Sequence, residues 1–408
     1  MVEIILWGLL VLGVAILGLG LLLWAVAYLG FTDDAPKVYE RQIEHPRPAV
    51  LIPARFESNV IEGILTDLAK QSFALDLADV YVVVEDAEDP TIQICEKHGV
   101  SYLVRQKLSP RTARKGYALD EVVKAILAEH KHYDLYFVFD ADNRIERKFI
   151  EKMLQAYQAG YQMATSYRNA LNAEASAVAT SAILTFSMLN TIENRHRMKR
   201  GWNIIFSGTG CFVDGQLVEK WHGWPFRSLT EDYEMSLYAI LHNVKTVYFE
   251  EAEFFDEQPV TFAQSFYQRL RWLKGYFSVR KKYVPLLRNK KNHAHNLGSI
   301  KREMIGMWPF ILIAFGAIFS VVMIIILGIV QIGWQKALTA TVVMVAVVYL
   351  VMFLVTAKLL ATEKYRLNFG QKLKAALFNP VYLVSYVPCA VVALFKRNVV
   401  WTRIKHGN

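Results

Sequence analysis

Residues 4–29 (IILWGLLVLGVAILGLGLLLWAVAYL) contain no Asp, Glu, Lys or Arg. A helix that crosses a bilayer needs about 20 consecutive apolar residues, so this stretch is long enough to span. A cleavable leader would join a shorter apolar core to a basic start and a small-x-small exit. Here the start is Met-Val-Glu and no such exit follows, so the segment reads as a retained anchor. Further apolar runs cover 308–333, 337–360 (with Lys358 near its end) and 375–395, the last interrupted by Pro380 and Pro388. Trp7, Trp24, Trp308 and Trp334 stand near run ends, where interfacial aromatic residues belong. The chain is therefore expected to be a multi-pass protein of the cell (plasma) membrane.

Charge orients the spans. Lys37, Arg41, Arg47 and Arg55 follow the first run and only Glu3 precedes it, which places the middle of the chain in the cytoplasm. Lys358, Lys364, Arg366, Lys372 and Lys374, between the last two runs, also read as cytoplasmic. The tail charges Lys396, Arg397, Arg403 and Lys405 do not fit one more full span. Either the rule fails there or the proline-broken run enters and leaves by one face. With 408 residues, 54% hydrophobic, and a net charge of +9, there is room for one soluble domain beside the membrane part. Cys95, Cys211 and Cys389 lack metal-ligand spacing and fit a reducing compartment.

The soluble stretch, 45–260, alternates short apolar runs with helical periods. PAVLIPA (48–54), VYVVVE (80–85), SYLVR (101–105) and LYFVFD (135–140) read as strands. Helices are expected over 59–71, 90–98 and 118–130. Such alternation predicts a parallel sheet with helices on both faces, in which ligands bind beyond the carboxyl ends of strands. Glu85 and Asp140 both stand at such ends. Residues 261–291 mix aromatic and basic residues with helical rhythm, as a helix lying in the membrane surface does. Nucleic-acid binding is the poorer use of that composition beside spans, and no nucleic-acid partner is expected.

Five stretches carry candidate chemistry. Asp140-Ala141-Asp142-Asn143 is good turn chemistry, or two carboxylates converging on a hard cation such as Mg²⁺ or Mn²⁺. In SLTEDYE, Glu231 and Asp232 open a helix as dipole-favoured acids, or act as a general base. In YQRLRWLKG, Gln268, Arg271 and Trp272 share about one turn, as a snorkelling interface helix or as a guanidinium fork for phosphate beside a flat platform for a sugar. Lys115-Gly116 stands before a helix, where phosphate is attracted. IIFSGTGCFV (204–213) reads as an apolar strand broken by Ser207, Gly208, Thr209 and Gly210.

Taken in order, PAR-x-E (53–57), KGYAL (115–119), DADN (140–143), FSGTG (206–210), TED (230–232), DEQP (256–259) and QRLRW (268–272) resemble the family 2 glycosyltransferases. More narrowly, the set is similar to their membrane-embedded processive synthases, relatives of hyaluronan, chitin, cellulose and poly-N-acetylglucosamine synthases. The resemblance implies an α/β fold: a GT-A (Rossmann-like) cytoplasmic domain with flanking transmembrane helices and an amphipathic interface helix. The expected organisation is an N-terminal span (1–30), a catalytic domain (45–260), interface helices carrying QRLRW (261–305), a C-terminal membrane region (306–396) and a basic tail (397–408).

The resemblance also implies roles. Asp142 and Asp140 would hold Mg²⁺ or Mn²⁺ on the donor diphosphate. Asp232, with Glu231, would be catalytic. Arg55, Glu57, Glu85, Lys115, Asp140, Gln268 and Arg271 would bind the donor nucleotide and diphosphate. Trp272, Ser207, Gly208, Thr209 and Cys211 would face the acceptor. Two departures, Phe56 for the family's amide and Glu85 for its aspartate, fall in the nucleotide pocket. The implied reaction is inverting transfer from a nucleoside-diphosphate sugar, a UDP-sugar foremost, to the end of a growing β-linked polysaccharide coupled to export. The runner-up is addition of one sugar to a lipid. Partners would be the donor, a glycan or lipid acceptor, the membrane, and a second copy or a small helper protein. A transporter with a nucleotide-sensing domain calls for ionisable residues inside its spans, and 4–29 and 308–333 have none.

Overall fold

The computed structural model describes residues 2–29, 45–105, 109, 112–289 and 296–396. Lys37, Arg41 and the tail charges Arg397, Arg403 and Lys405 lie outside the described residues. Eight strands form one sheet: β1 (Pro48–Pro53), β2 (Val80–Val84), β3 (Ser101–Val104), β4 (Leu135–Val138), β5 (Arg144–Ile145), β6 (Met163–Ala170), β7 (Cys211–Asp214) and β8 (Thr246–Asp256), in spatial order β3-β2-β1-β4-β7-β6-β8-β5.

The strand sequences read as continuous apolar runs because both faces are covered. Side chains alternate between faces. Val50 and Ile52 of β1, with Leu135 and Phe137 of β4, join one core beside helix Ile61–Ala69. Ala49 and Leu51, with Tyr136 and Val138, join a second core beside helix Lys115–Ala128.

The expectation of a parallel sheet holds for β1 to β4 only. β7 runs antiparallel to both β4 and β6, and β6 is parallel to β8. The expected strand over 204–213 is also corrected: 204–206 make no ladder and β7 begins at Cys211. This mixed order positions the site. Carboxyl ends of β1, β2, β4, β6 and β8 all point to one edge, while the antiparallel β7 starts there. Its pairing of Cys211 with Val138 lays the glycine loop beside the turn after β4.

Helix Phe262–Arg288 begins with a reciprocal cap between Thr261 and Gln264, the arrangement that satisfies two orphan donors at a helix start. Among the described residues, four helical segments, Val2–Trp24, Leu297–Ile332, Trp334–Thr362 and Phe369–Phe395, are long and apolar enough to cross a membrane. The proline-broken run splits at Ser385 into helices Phe369–Val384 and Tyr386–Phe395. The first segment packs tightly on helix Trp308–Leu327. A Cβ on Gly20 would stand 2.7 Å from the Ile313 nitrogen, and one on Gly316 2.5 Å from the Leu17 nitrogen. Small residues permit such backbone approach between membrane helices.

Candidate active site

At the carboxyl edge of the sheet lies a cavity of about 880 Å³. The turn after β4 is held rigidly. The Asp140 amide donates to Asn143 Oδ1 at 3.0 Å and to Thr209 Oγ1 at 2.9 Å, and Thr209 in turn donates to Asn143 Oδ1. Asn143 Nδ2 donates to Asp142 Oδ1 at 3.2 Å. Both aspartates line the cavity. Lys115, in the first turn of its helix, reaches Asp140: its Nζ lies 2.5 Å from Asp140 Oδ1 and 2.7 Å from the Gly208 carbonyl. Burial works against the charge on this lysine, but the carboxylates of Asp140 and Glu231 more than offset it and raise its pKa.

Glu231 and Asp232 open helix Glu231–Leu241 on the facing wall. Burial first, then the Asp232 carboxylate, push Glu231 up to about 7. Asp232 is raised as well, again by burial, although the Tyr233 amide bonds it at 2.8 Å and Lys115, Arg271 and Arg168 favour its ionised form. Two acids in one site with cations around them titrate as a pair. Gly208 takes φ +89°, and a Cβ there would approach Asp232 Oδ2 at 3.2 Å. A glycine is needed on both counts.

The third wall is helix Phe262–Arg288, which brings Gln268, Arg271 and Trp272 to the cavity. It is anchored against the acid-bearing helix by Tyr276 stacked on Tyr233 at 4.9 Å and by Lys282 paired with Glu234 at 2.7 Å. Trp272 meets Phe186 edge-on at 5.1 Å. At the ends of β1 and β2, Arg55 pairs with Glu85 at 2.6 Å, and the buried Arg105 reaches Glu85 and Glu121. Arg55, Glu57 and Glu85 all line the cavity. Ser207 Oγ and Gln268 Oε1, both on lining residues, are buried without a hydrogen-bond partner among the described residues. Such groups cost free energy when left unmatched.

Residues 46–275 match the family described as "Glycosyltransferase like family 2". The chain belongs to that family. Among its relatives, this glycosyltransferase is 23% identical to a probable glycosyltransferase, YdaM, of Bacillus subtilis over 93% of this chain and 92% of the relative. It is 24% identical to the β-monoglucosyldiacylglycerol synthase of Synechocystis over 57% of this chain. It is 22% identical to a probable glucomannan 4-β-mannosyltransferase of Arabidopsis thaliana over 67%. The chain spans about half the length of these last two, 48% and 51%. Its fold is that of the mannosyltransferase PcManGT from Pyrobaculum calidifontis, solved with GDP-Man and Mn²⁺. The TM-score is 0.63 at 14% identity, over 96% of this chain and 100% of that one.

The glycosyltransferase thus gathers most of the expected residues around one cavity, but not all. Thr209 and Cys211, expected against the acceptor, do not line it. Thr209 is fully buried as the clasp of the Asp140 turn, and Cys211 is buried as the first residue of β7. Strand pairing with β4 turns Cys211 inward, hydrogen bonds to the Asp140 turn hold Thr209 there, and burial pushes the Cys211 thiol up to about 12.

Other wall residues were not anticipated. Arg168 on β6 is ion-paired with Asp256 at the end of β8, donates to the Ser207 carbonyl at 3.2 Å, and lies 3.5 Å over the Phe186 ring. Asp256 belongs to the DEQP motif, which pointed to it. Nothing local marks Arg168. Lower in the cavity, Arg197 and Arg302 bracket Glu193. Burial alone would raise that carboxyl, yet the two guanidinium groups hold it down to about 2.

Proposed function

We propose that this enzyme is a membrane-bound, inverting glycosyltransferase with its catalytic domain on the cytoplasmic side. It moves a hexose or N-acetylhexosamine from a nucleoside-diphosphate sugar, a UDP-sugar foremost, to an acceptor hydroxyl held at the membrane. The observation that carries this reading is the single cavity shared by Asp140, Asp142, Lys115, Asp232, Arg271 and Trp272.

Asp232 takes the proton of the acceptor hydroxyl as its oxygen attacks the anomeric carbon. The bond from that carbon to the diphosphate oxygen breaks on the opposite side, so one base suffices and configuration inverts. Negative charge gathers on the departing diphosphate, where Lys115 and Arg271 oppose it. Glu231, raised by burial and by the Asp232 carboxylate, holds its proton more readily than a free carboxyl and so lessens the negative charge beside the nucleophile. Ser207 and Gln268 offer their unmatched polar atoms to bound substrate.

No group of three or more His, Cys, Asp or Glu among the described residues is placed to hold a metal alone. Asp140 and Asp142 nonetheless fit a hard divalent cation of the Mg²⁺ or Mn²⁺ type. Such ions take one or two carboxylates and complete their shell with phosphate oxygens and water. When bound, the cation would neutralise charge on the leaving diphosphate. Asp140 also engages Lys115, and Asp142 also accepts from Asn143 Nδ2.

Elongation of a β-linked glycan is supported by the Q-x-x-R-W set and the glucomannan transferase relatives. Addition of a single sugar to a lipid is supported by the apolar lower half of the cavity and the diacylglycerol-using relatives. The test is nucleotide release by the purified full chain across UDP- and GDP-sugars, with Mg²⁺ or Mn²⁺, followed by mass analysis of the product. Release that needs an acceptor and stops on chelation is expected. Absence of nucleotide binding and release with every donor would refute the reading.

A further inference from the structure

The cavity does not end at the reacting groups. Below Arg302 it continues between the membrane helices, and its lining changes character. Pro309, Phe310, Ile313, Ala314, Ala317 and Ile318 line it along one stripe of helix Trp308–Leu327. Their spacing is that of a single helical face. At 1.5 Å per residue the stripe runs about 14 Å, roughly half of a bilayer's ~30 Å hydrocarbon core. Val348 and Met352, one turn apart on helix Trp334–Thr362, line it from another side. Leu383 and Val384, from the proline-broken helix pair, complete the walls.

The depth and the chemistry of this extension both bear on the acceptor. None of these side chains can hydrogen-bond a sugar hydroxyl, and burying hydroxyls unmatched is costly. Trp24, Thr185 and Tyr386 are polar exceptions on the same lining, too few for the several hydroxyls that each sugar of a glycan strand carries, whereas a hydrocarbon chain needs no partner. Nor is the slot an isolated apolar face: it opens directly into the site that holds Asp232. Arg302, paired with Glu193, stands seven residues before Pro309 in the chain, so charged and apolar lining come from neighbouring segments.

We propose that this extension seats the hydrocarbon tail of a lipid acceptor. The tail enters one leaflet along Phe310–Ile318, and its hydroxyl-bearing head rises past Arg302 to Asp232. The inference rests on the function proposed above, and narrows the acceptor of that same site to a lipid.

The test is direct labelling of the full chain in bilayer nanodiscs. The probe is a dodecyl glycoside with a photoreactive diazirine near the tail end, and a butyl analogue serves as its control. Adducts are located by mass spectrometry. Adducts concentrated on 309–318 and on Val348 or Met352, displaced by unlabelled dodecyl glycoside and not formed by the butyl probe, are expected. Ala314→Trp, which fills the slot, should reduce them about tenfold. Val343→Trp, on an exposed face of its helix, should leave them unchanged. Adducts spread over outward residues such as Ile325 and Val343, or labelling indifferent to Ala314→Trp, would overturn the proposal. Labelling does not require turnover, so a chain that labels in the slot yet releases no nucleotide refutes the enzymatic reading alone.

Discussion

Lys115 Nζ bridges Asp140 Oδ1, at 2.5 Å, and the carbonyl of Gly208, at 2.7 Å. One cation therefore ties the turn after β4 to the glycine loop before β7, and both to the start of helix Lys115–Ala128. Lys115→Met keeps the aliphatic stem but removes the charge. We expect a loss of about 1–3 kcal/mol, the usual scale for hydrogen bonds to charged groups, and weaker nucleotide affinity. Thermal melting with and without nucleoside diphosphate measures both. A variant with unchanged affinity would remove Lys115 from the donor site.

Asp232→Asn retains shape and hydrogen-bonding capacity but cannot take a proton at neutral pH. Turnover should fall by about 10²–10⁴-fold, with nucleotide Kd changed little. Steady-state release and calorimetric titration separate the two effects. A variant with near-normal kcat would mean that another group is the base.

Gly208→Ala places a methyl 3.2 Å from Asp232 Oδ2 on a backbone at φ +89°. The strain should displace the carboxylate rather than the nucleotide pocket. A fall in kcat of about 10²-fold, the cost of a misplaced reacting group, is expected with donor affinity kept. Equal losses in affinity and turnover would point instead to collapse of the loop.

Glu231 has its pKa raised from 4.5 to about 7 in the ligand-free fold. The folded chain therefore holds a proton there that the unfolded chain releases first. This contribution to stability is complete below about pH 4.5 and is lost as pH rises through about 7. Over that window it amounts to at most ~3 kcal/mol. Asp232, raised too, acts with the same sign. Glu231→Gln should flatten this decline, so its melting temperature should gain on the wild type as pH rises. Parallel pH profiles for the two proteins would show that Glu231 titrates normally.

Arg168→Met should loosen Trp272, because the guanidinium covers Phe186 and Phe186 supports the indole, and should raise Asp232 further, because the same guanidinium favours its ionised form. Acceptor KM should rise more than donor KM. Comparable rises in both would place Arg168 on the nucleotide side.

Local pattern carried much of what could be read in advance. Runs such as 4–29 and 308–333 announce helices because hydrocarbon admits little else, and continuous apolar strands such as VYVVV announce a sheet covered on both faces. Glu231 and Asp232 at a helix start, or Asp140 and Asp142 past a strand end, are visible because residue type and neighbours suffice to mark them. The second half of the sheet was not legible in this way. β8 reads TVYFEEAEFFD, whose glutamates hide a strand that pairing with β6 and β5 stabilises. The reversal at β7 depends on contact between residues about seventy positions apart.

That reversal explains the misplaced Thr209 and Cys211. They are neighbours of Gly208 in the chain, but the ladder with β4 buries Cys211 and hydrogen bonds to the Asp140 turn bury Thr209, while Gly208 stays against Asp232. It also explains Arg168, unremarkable in MATSYRNA until β6 and β8 end together beside Asp256. Side-chain chemistry and helical or strand periodicity are properties of short segments and can be read along the chain. Which carboxylates share a cavity, and that its floor continues as an apolar slot among the membrane helices, are set by long-range burial and strand order, which short segments do not encode.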